Sequence, residues 1–470
     1  MPDKNSGGFF VSDRINTMKS LCERLKKRFS FVSILGCNVE SRAVRADKNT
    51  ASVSELPETD RGYVIRMYDG GCVYEYSSDD IEDSDAFAEK AACAAAVGAG
   101  LKDRFFPPVK MHDEPLEKIF TREGDADDYS DGQLLGFARD LAAKTLAADG
   151  RTVNAVCLLR VMKVEKVYVG EKRTLTQRYS YANGTLAAVM KSDGRLVRVR
   201  ECADSHLIKD VLGALPGRIA RLTEKGGKLL HASAVVPGEY DVITDPSITG
   251  LLAHEAFGHG VEMDQFVKDR ALAKYYMGKQ VASPLCNMRD GAAACLSVAS
   301  YFFDDDGVLA GDTRIIKDGV LVGGLCDAVS AGRLGIAPTG NGRRESHKRK
   351  AYSRMTNTFF EGGTHSLGDM IASIKHGYML FETNNGMEDP KNWAIQCTAE
   401  YGIEIVDGVL TDNYVAPVVM SGYVPDVLQS ISMVSDGVEM EGAGMCGKGY
   451  KEWVRVSDGG PCLKARMKLG

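Results

Sequence analysis

No stretch of this 470-residue chain approaches the run of about 18 apolar residues that a membrane-spanning helix requires. Met1 to Ser20 has no apolar core after its basic residues, so a secretion signal is not expected there. Charge of one sign is scarce too. The 58 Lys and Arg stand against 64 Asp and Glu, a net charge of −6, which argues against a bulk nucleic-acid binder. The 12 cysteines follow no framework spacing and sit in no small secreted context, which excludes a disulfide scaffold and fits a reducing cytoplasm. Internal repeats and low-complexity tracts are absent. What remains is a soluble, unexported chain of 50.9 kDa with 44% hydrophobic and 26% charged residues, enough for two or three domains and a sizeable core.

The most informative segment present is His254-Glu255-Ala256-Phe257-Gly258-His259. Two imidazoles are common ligands for a borderline-soft divalent cation, and a carboxylate beside them can take a proton from a water that such an ion acidifies. The histidines stand five apart, not the four of a zincin helix. In a regular α-helix, at about 100° per residue, five steps place them about 140° apart, too far around for one ion. A single π-type turn restores them to one side, and Gly258 makes that distortion cheaper. The expectation is a helix starting near Asp245 or Ser247, with Pro246 in its first turn, that bulges or breaks between His254 and Gly260.

A catalytic ion site usually needs a third protein ligand. Among the cysteines, Cys446 stands out because it lies in the glycine-rich loop Gly442 to Gly449, where backbone can approach an ion. Cys22, Cys93, Cys157 and Cys295 lie among apolar or alanine-rich residues and read as small buried hydrophobes.

At this point the chain resembles the TldD/PmbA metallopeptidases, a family once described as modulators of DNA gyrase. The resemblance rests on His254 to Asp264 (HEAFGHGVEMD), Pro338 to Ser346 (PTGNGRRES), Arg354 to Thr358 (RMTNT), Gln429 to Val434 (QSISMV) and Gly444 to Gly449 (GMCGKG). It implies zinc held by His254, His259 and Cys446, with Glu255 as the catalytic general base. Presence of the HExxxH motif makes the chain similar to the TldD-type active subunit, as opposed to partner subunits that lack it. The resemblance further implies α/β N-terminal regions stacked on a mostly β C-terminal domain. It also implies dimers, formed with itself or with a motif-less relative, that enclose the metal site.

The residues themselves predict an α+β fold in three parts, 1–105, 106–226 and 227–470. In the first, residues 12 to 28 form an amphipathic helix with Ile15, Met18, Leu21, Cys22 and Leu25 on one face. A hairpin of Gly62–Met67 and Cys72–Tyr76 turns at Asp69-Gly70-Gly71, and an alanine-rich helix runs from Ser84 to Leu101. Lys102 to Glu117 reads as a linker. The second part carries a helix near Ser130 to Ala148, strands in Val153–Val169 and Ser180–Val189, and a helix near Asp204 to Leu222, with Gly226-Gly227 marking the boundary. The third is a mainly antiparallel, curved sheet with hairpin signals at Asp306-Gly307, Asp318-Gly319, Asp407-Gly408 and Asp436-Gly437, the metal-binding helix, and a helix from Ser366 to Gly377.

Other patterns carry less. Asp304-Asp305-Asp306-Gly307 fails as a calcium loop, because alignment on Gly307 puts Phe302 and Thr313 at ligand positions. Gly442, Gly444 and Gly447 satisfy GxGxxG with too few residues following for a dinucleotide-binding unit. Arg343, Arg344, His347, Lys348, Arg349 and Lys350 read as a solvated loop, with one of the first two a candidate for a peptide carboxylate. Glu262, three residues beyond His259, reads either as an acceptor that fixes the tautomer of that imidazole or as a surface carboxylate. His365 and His376 are left outside the site.

Taken together, these readings predict a zinc peptidase in which Glu255 moves the proton of an attacking water, acting on unfolded peptides that add as a strand beside the metal. No nucleic acid or membrane partner is expected. A deformylase-like amide hydrolase also places a cysteine and two histidines on zinc, but there the cysteine precedes the histidine motif. A non-catalytic interaction subunit would follow if another thiolate, such as Cys462, blocked the fourth position.

Overall fold

The computed structural model describes residues 9–10, 12–96, 111, 113–442, 444–449 and 452–470. The N-terminal region is built on one eight-stranded sheet. Its central strands are long, at 17 residues in Phe31–Asp47, 18 in Thr152–Val169 and 20 in Arg173–Ser192, and they pair antiparallel. Asp60–Tyr68 and Val73–Ser78 extend the sheet beyond Phe31–Asp47, while Leu116–Thr121 joins Arg173–Ser192 in parallel. Strands from both sides of residue 105 therefore share hydrogen bonds, and the division expected there is not a division of the sheet.

Helices cover the two ends of this sheet with separate cores. Ser12–Lys26 buries Met18, Leu21, Cys22 and Leu25 against Ile34 and Ile65. At the other end Asp131–Ala147 buries Leu134, Ala138 and Leu141. Its start is a capping box in which the Ser130 side chain accepts from the Gln133 backbone and Gln133 reaches back to Ser130. The alanine-rich helix is described as Asp85–Ala96, and its expected continuation through residue 101 lies outside the described residues. So does most of the expected linker, whose end is instead the strand Leu116–Thr121.

Two local expectations are corrected. Asp204 to Leu222 is not one helix. Arg195–Ser205 is a strand, followed by Ile208–Ala214, a 3₁₀ turn holding Pro216, and Ile219–Leu229. Gly226 and Gly227 do not end an element but lie inside that last helix, where a Cβ on Gly226 would collide with Met190. Close packing, not chain flexibility, accounts for the pair.

The C-terminal region holds two larger sheets. In one, Thr313–Lys317, Met288–Asp290, Asn357–Phe360, Ser457–Gly460 and Glu439–Glu441 lie in that order. In the other, His376–Asp389, Gly238–Thr244, Leu463–Leu469, Val418–Tyr423 and Ala394–Val406 follow one another, and the last pairs back onto the first, closing a ring. Asp318-Gly319 and Asp407-Gly408 form the expected tight turns with positive φ at both residues. Asp436-Gly437 does not, because the strands on either side of it join different sheets. The helix expected from Ser366 to Gly377 is shorter, Leu367–Ala372, and Met263–Val267, Ala328–Leu334 and Val424–Gln429 are helices of five to seven residues that periodicity is too short to reveal. Among the described residues no helix is long and apolar enough to cross a membrane.

The two regions meet across buried charges. Arg66 pairs with Asp306 at 2.6 Å, Arg344 with Glu75 at 3.0 Å, and His347 Nδ1 with Asp60 at 2.6 Å. The acidic run Asp304 to Asp306 is thus a structural seam, with Asp305 on Lys166. The basic cluster is not a solvated loop throughout: Arg344 and His347 are buried in that seam, while Lys348 is exposed.

Candidate metal centre

The metal motif sits on a short helix inserted between the C-terminal sheets. Asp245 caps it, its carboxylate accepting from the Ile248 backbone at 2.8 Å, and Pro246 occupies the first turn of Pro246–Leu252. Gly250 lies so close to the backbone of Asp458 and Gly459 that no side chain fits there. From Ala253 to Gly258 the repeat widens to a π turn, and His259 donates its backbone N–H to the carbonyl of His254. His259–Val261 then tightens into a 3₁₀ turn. The widened turn offsets the five-residue spacing, and the two rings meet edge to face with centroids 5.0 Å apart.

Cys446 arrives from the far end of the chain on Met445–Lys448, which pairs antiparallel with Glu452–Arg455. Its Sγ lies 3.5 Å from His259 Nε2, and one ligand atom from each of His254, His259 and Cys446 falls within 4.8 Å of the others. Burial pushes the Cys446 thiol up, but the two imidazoles outweigh burial and hold it well below its ordinary value. Burial likewise opposes charge on His254, yet the facing sulfur and Glu255 raise it to about 9. A thiolate and two imidazoles converging in a buried pocket fit a borderline-soft divalent ion.

A second layer holds these ligands. His259 Nδ1 meets Glu262 Oε2 at 3.1 Å, so the nitrogen facing Cys446 is the other one, as the first reading of Glu262 has it. Glu262 is 1% exposed and is itself held by Lys448 at 3.0 Å and by Arg354, whose Nε stands 3.7 Å away. Burial alone would raise its carboxyl, but Lys448, His259 and Arg354 bring it to about 2. His254 Nδ1 is buried without a hydrogen-bond partner, with Asp458 Oδ2 at 3.7 Å. Glu255 is buried at the cavity wall and packs on Gly386, where a Cβ would lie 2.6 Å from Glu255 Cγ.

The centre opens into a cavity of about 1340 Å³ lined by His254, Glu255, His259 and Cys446. Its walls are the strands His376–Asp389 and Glu439–Glu441, the latter an edge strand that pairs only with Ser457–Gly460 among the described residues.

All four residues singled out from the sequence meet at this cavity. Cys462 stands outside the ligand triad, its thiol pushed up to about 11 by burial. His365 contacts the Val434 backbone and His376 pairs with Glu404, both away from the ligands. Arg344 is paired with Glu75 and Arg343 donates to the Met355 carbonyl, and neither lines the cavity at the ligands. Cys22 and Cys157 are buried as expected, whereas Cys93 is exposed and Cys295 half-buried. Sequence reasoning missed Arg354, Lys448, Asp458 and Glu388. Arg354 and Lys448 lie in segments that carried the family resemblance, which was the available signal.

Residues 237–467 match the model of the PmbA/TldA metallopeptidase C-terminal domain. Over 236 residues the chain is 36% identical to the metalloprotease TldD homolog of Haemophilus influenzae, a match spanning 50% of this chain and 48% of that protein. It is 29% identical over 310 residues to the zinc metalloprotease TldD homolog of Saccharolobus solfataricus, spanning 65% of this chain and 68% of that protein. The chain thus matches about half the length of the first of these curated relatives. Among solved structures, TldE from Thermococcus kodakarensis superposes with a TM-score of 0.77 at 18% identity, covering 97% of this chain and all of that one. A Thermotoga maritima protein described as a modulator of DNA gyrase gives 0.78 at 17% identity with the same coverage. At such identities the superpositions show the fold alone, and the sequence relatives are named metalloproteases. Through residues 237–467, which match the PmbA/TldA metallopeptidase C-terminal domain, the chain belongs to the TldD/PmbA family.

Proposed function

We propose that this chain is a zinc-dependent peptidase of the TldD type, hydrolysing peptide bonds in unfolded or flexible segments. The observation that carries the reading is the convergence of His254, His259 and Cys446 beside Glu255 at the wall of a cavity larger than the roughly 300–1,000 Å³ of most small-molecule sites.

When bound by these three side chains, zinc supplies Lewis acidity that lowers the pKa of water and polarises a peptide carbonyl. Glu255 takes the proton of the attacking water and returns it to the leaving amine. Gly386 leaves the space in which that carboxylate sits. Glu262 holds His259 in one tautomer, and Lys448 and Arg354 keep Glu262 ionised. The edge strand Glu439–Glu441 offers unpaired backbone groups to an extended peptide, which favours chains without structure of their own. The same reading places the protein in the cytoplasm, as a dimer with itself or with a relative lacking the motif.

The test is elemental analysis of protein purified without added metal, together with cleavage of an unstructured peptide, for wild type, Cys446→Ala and Glu255→Gln. Near-stoichiometric zinc and cleavage are expected in wild type, loss of both in Cys446→Ala, and loss of cleavage with zinc retained in Glu255→Gln. Full cleavage by Glu255→Gln overturns the assignment of the base.

A further inference from the structure

The cavity beside the ligands carries far more negative than positive charge that is free to act. Its four Lys and Arg side chains are all engaged. Arg200 lies 3.0 Å from Glu400, Arg218 3.4 Å and Arg221 3.3 Å from Glu201, and Lys448 2.7 Å from Asp264.

The carboxylates are placed differently. On the edge strand, Glu439 and Glu441 are two residues apart and so share a face, and both reach open cavity space. In the register with Ser457–Gly460, Glu441 stands directly opposite Asp458, the residue 3.7 Å from His254. Like charges directly opposite on paired strands destabilise a sheet. Asp245 and Asp204 add to the same side, and protein walls together with these acids push the Glu441 carboxyl up to about 8. On the wall formed by His376–Asp389, both oxygens of Glu388 are buried without a hydrogen-bond partner, and Oε1 would lie 3.2 Å from a Cβ on Gly260. A buried carboxyl left without a partner is costly unless a ligand supplies donors. Crowded acids and an unmet acceptor, lining one cavity, call for the same kind of group.

We propose that this cavity selects peptides presenting a lysine or arginine close to the bond placed beside His254 and Glu255, with Glu441, Glu439 and Glu388 as the carboxylates that receive the cation. The inference rests on the peptidase reading for the identity of the ligand as a peptide. Once both acids are ionised, the cation relieves the repulsion between Glu441 and Asp458, so selectivity follows from electrostatic complementarity and weakens with salt.

Binding is measured directly, on the full Glu255→Gln chain loaded with zinc. Unstructured decapeptides bearing an uncharged fluorophore and differing only in a central Lys, Gln or Glu are titrated by anisotropy. The Lys peptide is expected to bind about tenfold more tightly than the Gln peptide at low salt, the Glu peptide more weakly than either, and the spread to shrink at about 0.5 M salt. In Glu439→Gln/Glu441→Gln the Lys-to-Gln ratio is expected to fall toward one, and Glu388→Gln alone lowers it in part. Equal affinities for Lys and Glu peptides overturn the proposal, as does a Lys preference that survives these substitutions. A second bound metal equivalent that disappears in Glu441→Gln also overturns it, by giving the carboxylates to an ion. Lys-selective binding without wild-type cleavage of any peptide would uphold the selectivity and count against the peptidase reading. Cleavage without selectivity would do the reverse.

Discussion

Arg354 donates to the carbonyl oxygen of Cys446 at 2.5 Å while its Nε stands 3.7 Å from Glu262, so one guanidinium, 1% exposed, touches the strand of the sulfur ligand and the carboxylate behind His259. It also donates to the Glu452 carbonyl at 3.1 Å, which fixes the far side of the same hairpin. A lysine keeps the charge but loses the fork. Arg354→Lys is therefore expected to weaken metal binding by about 10- to 100-fold in chelator competition. Arg354→Ala should in addition lose about 3 kcal/mol or more of stability in urea, since it leaves Glu262 buried with less compensation. Unchanged chelator competition in Arg354→Lys would sink the idea that Arg354 holds the ligands in place.

Gly386 is where the strand His376–Asp389 approaches the general base. A methyl group there meets Glu255 Cγ at 2.6 Å and Leu251 Cδ1 at 2.9 Å, so the carboxylate must move. Gly386→Ala is expected to lower kcat by about 100-fold with zinc content unchanged, because displacement by about 1 Å is enough to spoil a proton-transfer geometry. Gly136 provides the contrast. It lies on the exposed face of Asp131–Ala147 with nothing within 4 Å of a Cβ, and Gly136→Ala should raise stability by about 0.5–1 kcal/mol without touching activity.

The seam between the N-terminal sheet and the C-terminal region depends on Glu75, which Arg66 meets at 2.8 Å and Arg344 at 3.0 Å. Burial pushes its carboxyl up, but the two guanidinium groups prevail and hold it far below the ordinary value of 4.5. An acid depressed in the folded state contributes stability above its unfolded value and loses it as pH falls toward its folded value. Arg344→Ala should cost about 3–5 kcal/mol at pH 7. Its deficit relative to wild type should narrow below about pH 4.5, as read from urea midpoints across that range. A deficit that stays constant with pH would show that Arg344 acts through packing alone.

Glu441 gives the cavity a pH response. Its carboxyl is pushed up to about 8 by the cavity walls around it and by Asp245, Asp458 and Asp204, with Glu382 adding to the same effect. A raised acid is neutral below its pKa, so its charge is available only above it, while Asp245 and Asp458, each near 6, are already ionised by then. A lysine side chain keeps its proton to about pH 10.4. Affinity for the Lys peptide should thus rise between about pH 7 and 9, with the Gln peptide flat by comparison and the rise lost in Glu441→Gln. The same anisotropy titration repeated across pH reads it.

Much of the site was legible in the sequence because its signals are local. The spacing of His254 and His259 cannot serve one ion on a regular helix, so a widened turn was expected and is found. Asp245 and Ser130 announced helix starts through side chains that bond three residues on, and Pro246 through its fixed φ in the first turn. Asp318-Gly319 and Asp407-Gly408 announced hairpins through their own backbone preference. The helices Ser12–Lys26 and Asp131–Ala147 and the strand Thr152–Val169 were legible from pattern over ten residues or more, whereas the central strand Phe31–Asp47 was not expected.

Tertiary structure decided whatever depends on partners distant in the chain. Nothing near Arg344 or His347 says that each is buried against an acid more than 260 residues earlier, and nothing near Asp436-Gly437 says that its flanking strands part to different sheets. Gly226 looked like a break because a glycine pair has the same local signature whether it frees the backbone or admits Met190. Composition and short-range pattern determined the class of fold, the metal motif and its local distortion. Only the folded chain could bring Cys446 within 3.5 Å of His259, set Arg354 behind both, and oppose Glu441 to Asp458, because strand register and long-range packing, not neighbouring residues, choose those contacts.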